Sequence, residues 1–296
     1  MTQPTQAMID LYDRFTHGRD PNRRDLMAEM ARLAGGMAAA SSMLGLIAAR
    51  SDAAPMVAAD DPRIKAADIV ADLGSGRTMR GHLAQPAKGA ATAPRVLVIH
   101  ENRGLNDHNR DLARRLATAG FVAFAADFLT PAGGTPTVGS GTTSAEDVAR
   151  DMIGKLDRAQ TVADGVATLQ WLAAKAPGKG AAGAVGFCWG GGMVNALAVD
   201  AGPALRAGVA YYGAAPQDVA GAAQVKAKLL LHYAGLDERI NAMAPAWQAA
   251  LKAAGVTYDA HVYAGVNHGF NNDTAAARYD KAAAELAWSR TQAWLR

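Results

Sequence analysis

Apolar positions along the chain fall into short unbroken runs separated by amphipathic stretches. "PRVLVIHENRG" is apolar from Val96 to Ile99, and "FVAFAADF", Ala182–Phe187, "AGVAYYG", "KLLLHYAG" and "YDAHVYAG" repeat the pattern. Such runs fit strands buried on both faces. Between them, "NRDLARRLATAG" places Leu112, Leu116 and Ala119 on one helical face and stops at Gly120. Ser144 can cap the next helix, and further helices are predicted over 157–174, after Cys188, over "APAWQAALKAAG" and up to the final "WLR". This alternation predicts an α/β fold, a mostly parallel central sheet with helices on both faces. "DDPRIKAADIVADLG" and "TMRGHLAQPA" read as two short edge strands around the "GSGR" turn. "PAGGTPTVGSGTTS" is a loop of the length that commonly carries function.

The first 55 residues break the pattern. Arg23 and Arg24 precede a weakly apolar, small-residue stretch from Leu33 to Ala49, followed by "SDAAP" and "MVAADDP". This predicts a twin-arginine export signal and a periplasmic protein, with Asn22 standing where Ser or Thr is usual. The alternative is a cytoplasmic protein that keeps an N-terminal helix, "MIDLYDRF" onward, docked on its domain. The stretch is too short and too poor in Leu, Ile and Phe for a stable membrane span. The division is therefore an extension over 1–55 and one α/β domain over 56–296.

Composition narrows the partners. At 50% hydrophobic and 19% charged residues, 296 residues suffice for one sizeable core without staples. A net charge of +3 with no basic run interleaved with aromatics argues against nucleic acid. One cysteine excludes an internal disulfide, and the absence of a His-Glu-x-x-His spacing leaves no zinc helix; no metal or cofactor is expected. The partner is a small molecule, and the oligomeric state stays open.

The candidate chemistry centres on "GFCWGGG". Cys188 falls where a strand must turn sharply into a helix, with Gly186 two positions before and Gly190 two after, and Gly191 and Gly192 next. A turn that tight demands small flanking residues, and the helix N-terminus favours thiolate. A buried structural cysteine would explain neither the glycines nor the position. A nucleophilic thiol needs a base and a group to orient it. Of the seven histidines, His17 lies in the leader, His82 on an early strand, and His261 alternates towards solvent. His100 and His232 sit in strand runs near their ends, whereas His268 follows the last strand in "YAGVNHGF". Asp237, in the turn of "AGLDERI", is the candidate orienting acid.

"GFCWGG", "AGLDERI", "NHGF" and "HENRG" together resemble the dienelactone hydrolase family of α/β-hydrolases, over roughly residues 60–296. The resemblance implies an α/β-hydrolase fold and a cysteine-dependent hydrolase of esters or lactones, with Cys188, His268 and Asp237 as its triad. It implies that Glu101 contacts the resting thiol, and that the backbone N–H groups of Trp189 and Asn102 form an oxyanion hole. The family's two substrate-carboxylate arginines are replaced here by Pro131 and Asn272, and Arg103 is a candidate substitute. The alternatives are a thiol redox protein built on Cys188 and a non-catalytic binding module on the same fold.

Overall fold

The alternation of apolar runs and amphipathic stretches produces one sheet with both faces covered. The computed structural model describes residues 3–17, 23–48, 54–141 and 143–296. Asn22 and the start of the "SDAAP" stretch lie outside the described residues. Three helices come first: α1 (Gln6–His17), α2 (Arg23–Ala34) and α3 (Met37–Ala48). The antiparallel pair β1 (Ile64–Gly74) and β2 (Arg77–Pro86) leads to β3 (Pro94–Ile99), α4 (Asp107–Thr118), β4 (Val122–Ala126), α5 (Ala145–Ile153) and α6 (Arg158–Lys175). The second half runs β5 (Lys179–Phe187), α7 (Trp189–Asp200), β6 (Leu205–Tyr211), β7 (Lys228–Ala234) and α8 (Glu238–Asn241). It ends with α9 (Ala244–Ala253), β8 (Tyr258–Tyr263) and α10 (Lys281–Leu295).

The sheet has eight strands in the order β1-β2-β4-β3-β5-β6-β7-β8. Strands β3 to β8 are mutually parallel, and β2 joins β4 antiparallel. Only β1 of the early pair is an edge; β2 is interior, because β4 supplies it with a second ladder. Both are also longer than their sequence suggested, at 11 and 10 residues.

Strand β3 shows why an unbroken apolar run is needed. Val96 and Val98 pack with Leu112 and Leu116 of α4 on one face, while Leu97 and Ile99 pack with Leu169, Leu172 and Val194 on the other. All four β3 side chains are fully buried. Helix starts are set by side-chain caps that occupy otherwise orphaned N–H groups: Asn106 for α4, Ser144 for α5, Asp157 for α6 and Asp280 for α10.

Topology places the site. From β3 the chain steps to β4 on one side and then to β5 on the other, so the winding reverses between β3 and β5. In open parallel sheets that reversal opens a crevice beyond the strands' carboxyl ends. Glu101 follows β3 there, and Cys188 follows β5.

The first three helices form a layer with its own apolar cluster, including Met8, Leu11, Leu26, Met30, Ala40 and Ile47. Gly35 and Gly36, both at positive φ, let α2 and α3 meet at a bend of 104°. Among the described residues no single helix is long and apolar enough to cross a membrane. The chain rejoins the domain at Met56 and Val57, whose N–H groups donate to Asp111 of α4 at 3.0 and 2.9 Å.

Candidate active site

Strand β5 ends at Phe187 and α7 begins at Trp189, leaving Cys188 alone to make the turn. It does so at φ 56° and ψ −115°. A non-glycine residue held there stores on the order of 1–3 kcal/mol, which the surrounding backbone must offset. Cys188 N–H donates to Tyr211 O and Gly192 N–H to Cys188 O, each at 3.1 Å. The flanking glycines are required by contact: a Cβ on Gly186 would sit 2.1 Å from Gly190 O, and one on Gly190 would sit 2.4 Å from Ile99 O. Gly191 likewise admits Tyr211 O, at 2.5 Å. Gly192 differs from expectation, since a Cβ there would meet nothing closer than 3.6 Å. It lines the cavity instead of the helix–sheet contact.

His268 lies in the loop after β8, and its Nδ1 donates to Asp237 Oδ2 at 2.5 Å. Asp237 Oδ1 accepts Ile240 N–H and so caps α8, which fixes the carboxylate. Burial pushes the Asp237 carboxyl up, but the His268 hydrogen bond and charge outweigh it, and the net direction is down. Burial likewise disfavours a charged His268. The charge on Cys188, the bond to Asp237 and a hydrogen bond to Cys188 together overcome that and push the imidazole up to about 10. Of the predicted residues, then, Cys188, His268 and Asp237 come together above the sheet.

The other histidines are engaged elsewhere. His100 accepts Phe128 N–H through Nε2, and its Nδ1 lies 2.6 Å from Glu101 O, so the ring fastens the turn that carries Glu101. It also stacks on Trp189 at 5.2 Å. His232 is fully buried between Tyr263 and Thr291. His82 pairs with Asp68, and His261 with Asp259.

Glu101 accepts hydrogen bonds from the Tyr212 hydroxyl at 3.4 Å and from Asn272 Nδ2 at 2.8 Å. Burial, then the charges of Glu101 and Cys188, push the Tyr212 phenol well above its ordinary value, so it stays a donor. Asn272 therefore positions Glu101. Trp189 is the first residue of α7, where N–H groups lack intrahelical acceptors. Asn102 lines the same cavity, its side chain donating to Thr16 O at 3.1 Å. Arg103 donates to Asp147 at 2.7 Å and to the Tyr12 hydroxyl at 3.0 Å, which ties it to α5 and α1.

Sequence reasoning missed two charged groups. Arg278 packs against Gly269, beside His268, with its Nη1 3.4 Å from where a Gly269 Cβ would lie. Asp13 of α1 accepts from that Nη1 at 3.2 Å. No local motif announces either residue. The cavity over Cys188 measures about 1400 Å³ and includes Tyr12, Phe15 and Thr16 of α1 in its walls. Among the described residues no group of three or more metal-ligating side chains forms.

The dienelactone hydrolase family profile matches residues 79–296. A Methylorubrum extorquens protein provisionally named carboxymethylenebutenolidase is 34% identical over 230 residues, covering 72% of this chain and 75% of its own. A crystal structure provisionally named dienelactone hydrolase, from Klebsiella pneumoniae, matches with TM-score 0.68 at 28% identity, over 78% of this chain and 98% of that one. A hyperthermophilic esterase from Pyrobaculum calidifontis shares the fold alone, with TM-score 0.59 at 15% identity, and its match spans 100% of this chain. With the profile covering most of the domain and these relatives agreeing on the architecture, the chain belongs to the dienelactone hydrolase family.

Proposed function

We propose that this chain hydrolyses carboxylic esters or lactones through a thioester on Cys188. The observation that carries the reading is the meeting of three residues distant in sequence. A strained apex presents Cys188, and His268 bonds to it while donating its other ring nitrogen to Asp237.

His268, held in one tautomer by Asp237, takes the thiol proton, and the sulfur attacks the substrate carbonyl. The upward shift belongs to the state after that transfer, in which the imidazolium is held by the charge on sulfur and by Asp237. The oxyanion is met by backbone N–H groups of Trp189 and Asn102, where one such donor is worth about 10² to 10³ in rate. Acylation removes the charge from sulfur and with it one of the causes that raised His268. The imidazolium becomes more acidic at the moment it must protonate the leaving alkoxide. Neutral again, it activates water, and the thioester is hydrolysed.

Glu101, fixed by Tyr212 and Asn272, is the partner of the resting thiol in this reading. The test is a panel of lactones and aryl esters on wild type and Cys188→Ala. Steady turnover that vanishes in the variant supports the proposal. Peroxide consumption without ester turnover, or no turnover of any kind, overturns it.

A further inference from the structure

Helix α1 lies over the site and meets it through polar groups. Gln6 donates to Asn267, Asn102 to Thr16 O, Arg103 to the Tyr12 hydroxyl, and Arg278 to Asp13. Arg278 and Arg150 also stand over the Tyr12 and Phe15 rings, at 5.7 and 5.3 Å. The apolar side chains of α1, Met8, Ile9 and Leu11, pack instead into the cluster of the three-helix layer. Water and other anions can replace the first set of contacts; they cannot replace the second.

The Asp13–Arg278 pair stands within the field of the reacting groups. The charges of Glu101 and Cys188 act on Arg278, and those of His268 and Asp237 act on Asp13. A guanidinium can hold a carboxylate with two parallel bonds. Here Nη1 donates to Asp13, and among the described residues Arg278 Nε is buried without an acceptor. The Nε side of the fork is thus not engaged by the protein's own carboxylate. Both side chains remain 17% exposed, so the pair is open to exchange.

We propose that Arg278 reads an anionic group on the incoming molecule and that α1 holds Asp13 on Arg278 as an internal competitor, which a carboxylate-bearing ligand must displace. The proposal makes α1 a working wall of the site: neutral molecules reach Cys188 past an intact pair, whereas carboxylates gain Arg278 only by evicting Asp13. It rests on the proposed function only in taking Cys188 as the reacting atom.

The test needs no turnover. The full chain is alkylated at Cys188 with iodoacetate, which carries a carboxylate, and with iodoacetamide, its neutral counterpart, and the ratio of the two rates is taken. In Asp13→Asn the ratio rises about fivefold, as expected for removing a partly exposed ion-pair competitor. In Arg278→Gln it falls below the wild-type value, and in Asp13→Glu it stays near it. An unchanged ratio in Asp13→Asn, or equal acceleration of both reagents, overturns the proposal. A second readout guards against misfolding of the variants. Phenylacetate should protect wild-type Cys188 from iodoacetamide better than phenylacetamide does, and equal protection also overturns it. A shifted ratio in a chain that turns over no ester would sink the hydrolase reading and leave this one standing.

Discussion

The α/β domain and the three-helix layer solve the burial problem in different ways. In the domain, six parallel strands place side chains on two faces, each covered by helices, and whole runs such as Val96–Ile99 lie fully buried. In the layer, three helices of 12 residues each share one small cluster centred on Met30 and Ile47. The two units meet at the candidate site through hydrogen bonds, ion pairs and ring contacts. The candidate site residues therefore sit on the strand-bearing unit, and the layer that lines part of their cavity is attached through polar contacts. Apolar packing fixes a position, whereas polar contacts exposed to solvent can be exchanged for others of similar strength.

The contrast can be broken most severely at its chemical centre. Cys188→Ala should lower ester hydrolysis by about 10³-fold or more, since what remains is binding and the oxyanion donors. The variant should keep the wild-type circular-dichroism spectrum, because the substitution deletes only the sulfur. Next in size is the turn beneath it. Gly190→Val puts side-chain atoms where Ile99 O already stands. It should cost about 3 kcal/mol in urea unfolding. Gly192→Ala, whose Cβ would make only ordinary contact with Ala214, should stay within about 0.5 kcal/mol.

Met30→Ala sharpens the comparison from the other side. A fully buried methionine in so small a cluster is worth about 2 kcal/mol or more. Hydrogen exchange should then speed up across α1, α2 and α3 while the sheet keeps its protection. Matching losses in both units would mean that they unfold together.

The smaller effects are electrostatic. His268 is raised to about 10, so its charged form stabilises the fold fully below its ordinary value near 6.5. That contribution is lost as pH rises through about 10. An NMR titration should show the imidazole midpoint moved upward in wild type and moved back down in Cys188→Ala, which lacks the sulfur charge and bond. Asn106→Ala removes the α4 cap at Asn109 N–H and should cost about 1 kcal/mol.

Much of the domain was legible because its signals are local. The apolar runs of β3 and β5 need only their own residues to declare burial. The glycines around Cys188 declare a crowded turn, and the overlaps at Gly186 and Gly190 are the contacts that exclude a side chain. Strand β2 was harder. Its place inside the sheet depends on pairing with β4, some 40 residues away, which no local pattern encodes. Asn272 was read as a lost anion anchor, yet the fold turns it onto Glu101.

By itself the sequence determined the α/β alternation, the turn that carries Cys188, and the order in which Cys188, Asp237 and His268 follow one another. Each follows from residue type and spacing over a few positions, where sterics and periodicity act. Only the tertiary structure decided that Arg278 and Asp13 meet, that Arg103 is bound to Asp147 and Tyr12, and that α1 lies over the cavity. These pairings join residues 44 to 265 positions apart. Charged side chains carry no periodic signature of their partners, so where each one lands is settled by the packing of the elements that bear it.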